Sequence, residues 1–323
     1  MALSDLTVFQ EYVYSSMTEL VAQEIEKFNA ASQGTVILRA GDMRGDFSDV
    51  AKWQKIDGLV RRRNAYGSGA VTAKNLAHII DTMVKVASGT PPVEVNPSQF
   101  TWIQKSPEEA GTVIGSQLAG DMLADMLNTA IMGAVAAMSQ NAAMTLDLTA
   151  TSGTNSYVNM NKAAALMGDR SQAIQAWLQH STIYHDLIGE NLANQNQLFK
   201  FESVVVNTDH LGRPLIITDS PSLIDTAATP DGYYSIGLTN SGVIVEQNND
   251  FDDNYETSNG DENIARTYQA EWSYNLGVKG YAWDKTNGGK SPNDAALATS
   301  TNWDKYITSD KDGPGVLLKV VAA

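Results

Sequence analysis

Residues 106–140 read SPEEAGTVIGSQLAGDMLADMLNTAIMGAVAAMSQ, and this stretch dictates how the rest of the chain must be arranged. It begins with a strong helix start: Ser106 at the capping position, Pro107 at the first helical position and Glu109 three residues after the serine. No further proline interrupts the stretch, so one helix can run from Ser106 to Gln140, on the order of 50 Å at 1.5 Å per residue. Most helices in globular proteins are three or four turns long. Ile114, Leu118, Met122 and Met126 form one apolar stripe, and Leu123, Leu127, Ile131 and Val135 form the next. Two stripes require cover on more than one side. Gly111, Gly115, Gly120 and Gly133 would each cost about 1 kcal/mol relative to alanine. Close approach of neighbouring backbone is the expected reason for keeping them.

Outward from this helix the chain reads as α+β. Phe9, Val13, Met17, Leu20, Val21, Ile25 and Phe28 recur at helical spacing and predict an N-terminal amphipathic helix. From Gly34 to Thr72 the pattern changes: a strand-like TVILR is followed by glycine turns and mixed charges, roughly forty residues with little core-forming character. A compact domain rarely tolerates so long a plain loop, so a projecting hairpin is expected. LAHIIDTMVKVA reads as strand or short helix, and Pro91, Pro92 and Pro97 predict extended chain after it. In the second half, NKAAALMGD reads as a helix and AIQAWLQHSTIYHDLI as helix or strand. SVVV and LIIT read as strands flanking NTDHLGRP, and YYSIGLTNSGVIVEQ as a hairpin closed around TNSG. An acidic stretch, NNDFDDNYETSNGDE, reads as a solvated loop before one long alternating run, IARTYQAEWSYNLGVKGYAW, and a last apolar strand, GVLLKVVAA.

The 323 residues carry a formal net charge of −15 and no cysteine. Disulfides, thiolate catalysis and thiolate metal sites are excluded. The acidity argues against nucleic acid or an anionic membrane as a major binding partner. The N-terminus has no basic region followed by an apolar one, and the most apolar window, Met126–Met138, is too short to span a bilayer. The chain reads as soluble and unexported.

Chemical motifs are weak. His78, His180, His185 and His210 match no metal spacing, and no nucleophile elbow or phosphate-binding glycine loop occurs. Asp250, Asp252 and Asn254 imitate the first ligands of a calcium loop, but Tyr255 replaces the turn glycine and Asp261 the closing glutamate. Asp121 and Asp125, one turn apart, can serve acid–base chemistry or form a polar edge. No cofactor, metal or catalytic residue is assigned.

The strings GDFSDVAKW, GLVRRRNAYGSG and VKVASGTPPVEVNPSQFTWI, with the long helix after them, resemble major capsid proteins of tailed bacteriophages, which have the HK97-like fold. The resemblance is densest over residues 1–140. It implies an N-terminal arm (1–33), an E-loop (34–72), a peripheral domain (73–144) with its spine helix at 106–140, and an axial domain (145–263). A returning peripheral strand (264–284) and a C-terminal segment at the axial domain (285–323) would complete the chain. It further implies a structural, non-catalytic subunit that forms pentamers and hexamers of an icosahedral head around double-stranded DNA, held without specific binding. A net-negative inner wall would let that DNA slide. Implied partners are copies of itself, a separate scaffolding protein, since the arm helix begins within a few residues of Met1, and a portal protein at one vertex. A decoration protein is left open, as is cross-linking through Lys52 or Lys55. Implied localisation is the virion, after assembly in the host cytoplasm. An encapsulin-like compartment shell, or a soluble hydrolase using Asp121 and Asp125, are the alternatives.

Under this resemblance the basic triplet Arg61, Arg62 and Arg63 acquires a role. In extended chain Arg61 and Arg63 point to one side and Arg62 to the other. On a loop laid across an adjacent subunit they can meet carboxylates, with Glu108, Glu109, Asp121 and Asp125 as candidates, while the glycines of AYGSG let the loop bend back.

Overall fold

The computed structural model describes residues 3–42, 45–194, 212–226, 228–259 and 264–323. SVVV and most of NTDHLGRP lie outside these residues. The long helix forms as expected: α3 spans Pro107–Ser139, with Ser106 at its cap. Ser106 contributes its backbone carbonyl, which accepts from the Ala110 N–H at 3.1 Å; its side chain makes no capping bond. Before α3 come α1 (Leu3–Ala31) and a short α2 (Pro97–Lys105). Pro97 therefore starts a helix where extended chain was expected. The Asn96 backbone N–H donates to Gln99 Oε1 at 3.0 Å, and a proline at the first helical position costs no intrahelical bond.

The expected approach of neighbouring backbone occurs at Gly111 and Gly115, whereas Gly133 is met by a side chain. A Cβ at Gly111 would lie 2.7 Å from the Phe9 carbonyl, one at Gly115 2.7 Å from the Val13 carbonyl, and one at Gly133 2.9 Å from Leu276. The first two seat α1 against the front half of α3, burying Phe9, Val13, Met17 and Val21. Gly120 meets nothing within 4 Å. The rear half of α3, from Thr129 to Met138, is buried on nearly every side, as a helix apolar all round must be. By length and composition α3 could cross a membrane, but most of it is core here.

Strands β1 (Val36–Gly41), β2 (Phe47–Trp53), β3 (His78–Gly89) and β4 (Val93–Glu94) precede α3. β5 (Thr145–Asp147), helix α4 (Tyr157–Ala165), β6 (Ile174–His180), helix α5 (Ser181–Asn194), β7 (Leu215–Thr218), β8 (Ile224–Asp225) and β9 (Gly232–Thr239) follow it. The chain closes with β10 (Val243–Asn248), β11 (Asp252–Ser258), β12 (Ala265–Val278), β13 (Tyr281–Trp283), helix α6 (Asp294–Ala298), β14 (Trp303–Lys305) and β15 (Gly315–Val321).

One sheet is built on β12. Along one edge β12 pairs antiparallel with β11 and then β10, which pairs parallel with β1; along the other it pairs with β4 and β3. Its inner face packs on α1 and α3, with Tyr274, Leu276 and Val278 buried. The second sheet has the order β5-β15-β9-β6-β7. Its β15 is buried at every position but Lys319, because α4 and α5 cover one face and the core around α3 receives Leu317, Leu178 and Ile236 from the other.

Three expectations change. TNSG does not close a hairpin, because β9 and β10 belong to different sheets. Ser241, at φ 54°, and Gly242 instead donate to the carbonyls of Gly34 and Thr35 at 2.8 and 2.9 Å, and each flanking strand finds better partners elsewhere. TVILR is not part of the projection: Asn29 clamps Leu38 through both amide groups, at 2.7 and 2.9 Å, and β1 lies in the sheet. The stretch read as an acidic loop contains β11, registered residue for residue on β12.

Candidate assembly surfaces

The projection consists of β2 and the first half of β3, joined by residues 54–77. β2 pairs with β3 from Phe47↔Val84 to Trp53↔His78. Beyond this ladder the connecting residues are exposed, apart from half-buried Ile56 and Ala77. Leu59 is 70%, Val60 93% and Tyr66 99% exposed, an apolar display a soluble monomer has no reason to keep. Arg61, Arg62 and Arg63 lie among them, also exposed, and among the described residues none has an ion-pair partner. The bend is an Asn turn: Asn64 Oδ1 accepts from the Tyr66 N–H at 3.0 Å, and the Asn64 carbonyl from the Gly67 N–H at 3.3 Å. Gly58, at φ 63°, supplies the left-handed residue, whereas Gly67 and Gly69 have none.

The root of the projection is clamped to the C-terminal third of the chain. Lys285 pairs with Asp49, Lys290 with Asp46 at 3.1 Å, and Lys55 with Asp312 at 3.2 Å. Thr308 Oγ1 donates to the Lys55 carbonyl at 3.1 Å. The hydrogen bond from Lys285 holds the Asp49 carboxyl below its ordinary range, helped by Thr82 against partial burial. At Asp312 burial opposes ionisation, but Arg170 and Lys55 outweigh it and the carboxyl is again lowered.

The four carboxylates singled out on the helix separate into two groups. Glu108, Glu109 and Asp121 are exposed, the first two in the opening turn of α3, where the helix dipole favours them. Asp125 is turned into its own subunit, accepting from Ser88 Oγ at 2.7 Å and Tyr274 Oη at 2.9 Å. Burial and the Asp125 charge raise the Tyr274 phenol. Asp121 in solvent and Asp125 in a structural network do not compose an acid–base pair. Asp250 likewise accepts from the Ser273 N–H at 3.0 Å and pairs with Lys85 at 3.6 Å, leaving Asp252 and Asn254 on β11. Among the described residues no group of three or more histidines, aspartates and glutamates could hold a metal.

One acidic surface escaped sequence reasoning. Asp253 and Tyr255 of β11 face inward with Tyr268 and Ala270, where Phe9 meets the Tyr268 ring at 6.0 Å. Asp252, Asn254 and Glu256 therefore face outward, beside Glu271, Gln269 and Thr267, with Glu94 of β4 opposite Thr267. The β11 and β12 residues of this face line a groove of about 260 Å³. The period-two alternation of DDNYET against TYQAE carried the signal.

A two-sheet body around one long helix, with a hairpin projecting from a clamped root, is the HK97-like fold. The chain belongs to the Gp13-like family, major capsid protein 13-like, whose profile matches residues 5–317. It is thus a structural capsid protein of a bacteriophage, a virion component that assembles with copies of itself. Its structure is similar to that of Microbacterium phage Oxtober96 at 12% identity, covering 87% of this chain and 88% of that one with TM-score 0.50. The capsid of Ralstonia phage GP4 aligns at 9% identity over 91% and 89%, TM-score 0.49. The cyanophage Pam1 capsid asymmetric unit aligns at 12% identity over 87% and 86%, TM-score 0.49. No curated protein matches the chain.

Proposed function

We propose that copies of this chain group as pentamers and hexamers on an icosahedral lattice enclosing double-stranded DNA, and that the 46–78 hairpin crosses onto a neighbouring subunit. The observation that carries this is the exposed loop itself: apolar side chains and three arginines, unpaired among the described residues, held out on a root fixed by ion pairs. Such a display loses solubility and gains nothing unless a neighbour covers it. The sheet on β12 with α1 and α3 corresponds in this reading to the peripheral domain. The sheet on β9 and β15 corresponds to the axial domain, with β10 and β11 assigned to the former by their pairing. Assembly takes place in the host cytoplasm with a separate scaffolding protein and a portal at one vertex, and the acidic chain holds DNA without binding it specifically. Electron microscopy of particles from cells co-expressing the chain with the scaffolding and portal proteins of its phage should show closed shells with five- and six-fold capsomers. Exclusively monomeric material would overturn the reading.

A further inference from the structure

The outward face of β4, β12 and β11 carries Glu94, Asp252, Glu256 and Glu271, and among the described residues no lysine or arginine pairs with any of them. This is not an ordinary solvated strand face. Asp252 stands directly opposite Glu271 in the antiparallel ladder, where side chains approach to about 5 Å and like charges destabilise the pairing. Glu256 and Glu94 flank Thr267 in a second row, two strand spacings or about 10 Å apart. Elsewhere on this sheet Glu246 of β10 pairs with Arg39 of β1, and in the turn before β11 Asp250 pairs with Lys85 of β3. Among the described residues, none of these four carboxylates has such a partner.

The same chain holds the complementary surface out of its own reach. Arg61, Arg62 and Arg63 are exposed, with no carboxylate paired to them among the described residues. Arg61 and Arg63 lie about 7 Å apart in extended chain, and the two acidic rows, four residues apart along β12, about 13 Å, so each long side chain reaches outward to one row. Guanidinium forks suit paired carboxylates better than ammonium groups do. Glu108, Glu109 and Asp121 on α3 offer charge but no such double row.

We propose that the β4–β12–β11 face is the docking surface for Arg61–Arg63 of a second copy of this chain. The inference rests on the shell reading above and supplies the acceptor for its projecting loop. Contact relieves the Asp252–Glu271 repulsion and neutralises the arginines together, so the favourable term exists only between subunits. That couples the sheet to assembly and leaves the free subunit less stable than the assembled one.

The absence of cysteine makes a direct test available. Ala65→Cys and Asn254→Cys, both at exposed uncharged positions, are introduced together and shells are purified before mild oxidation. A ladder of covalent multimers in denaturing gels is expected; shells that yield only monomer overturn the assignment. A charge exchange provides the second arm. Arg61, Arg62 and Arg63→Glu should lower particle yield about tenfold, and adding Asp252, Glu256 and Glu271→Lys should restore it. Failure of the exchange to restore yield, with both variant subunits melting as wild type does, also overturns it. Failure of the wild-type chain to form shells under any of the co-expression conditions counts against the shell reading itself, which separates the two failures. Shells that dissolve in a chelator and show no ladder would assign the face to a divalent cation instead.

Discussion

Gly115 and Gly120 look alike in the sequence, little more than one helical turn apart, yet they carry opposite expectations. A Cβ at Gly115 would run into Ser16 Oγ and sit 2.7 Å from the Val13 carbonyl. Gly115→Ala should therefore push α1 off α3 and cost about 1–3 kcal/mol. At Gly120 nothing lies within 4 Å, so Gly120→Ala should gain up to about 1 kcal/mol from helix propensity. Thermal melting of the unassembled subunit checks both signs. Asp125 gives a further prediction at this scale. Asp125→Ala removes the acceptor shared by Ser88 and Tyr274, and about 1–3 kcal/mol of stability should go with it, while Asp121→Ala, exposed, should melt within about 0.5 kcal/mol of wild type. Sequence spacing put Asp121 and Asp125 on one helix edge; only packing against β3 and β12 showed that one faces solvent and the other the core.

Among the elements, the β2–β3 hairpin carries a pH prediction. Asp49 and Asp312, held by Lys285 and by Arg170 with Lys55 respectively, have folded-state values below the ordinary carboxylate range. Their contribution is therefore fully present above that range and is lost as pH falls through the lowered values. Protection against hydrogen exchange along residues 46–55, taken relative to the intrinsic rate at each pH, should be full at neutral pH and fall below about pH 4, before the core strand β15 loosens. Lys285→Ala should lower that protection already at neutral pH and flatten its loss on acidification; an unchanged profile would show that the clamp does not hold the hairpin. The spine helix and the N-terminal helix are legible because periodicity and capping are local, and the hairpin only as a stretch without core-forming pattern, with its start misplaced. β11 and the TNSG crossing are not legible. A polar strand is stabilised by the neighbour it pairs with, and a turn between two strands says nothing about whether those strands prefer each other.

At the scale of the whole molecule, the net charge of −15 makes subunits repel one another, so local basic contacts must overcome a general repulsion that salt screens. Arg61, Arg62 and Arg63→Ala should lower particle yield and resistance to dissociation without changing the melting of the free subunit, because among the described residues none of the three has an ion-pair partner in its own chain. Sedimentation of particles over a salt series reads this directly. Unchanged yield and salt resistance would remove the arginines from assembly. The strings and element order that resemble capsid proteins stood in the primary structure, as did the long buried helix, the lack of a catalytic motif and the conspicuous basic triplet. The amino-acid sequence by itself determined these because each depends on residue type and near-neighbour spacing. The tertiary structure alone decided which glycines are contacts, which carboxylate is internal, and that Glu94, Asp252, Glu256 and Glu271, from three separate strands, share one unneutralised face. Those are consequences of strand register and long-range packing, where residues distant along the chain meet and local pattern has no information.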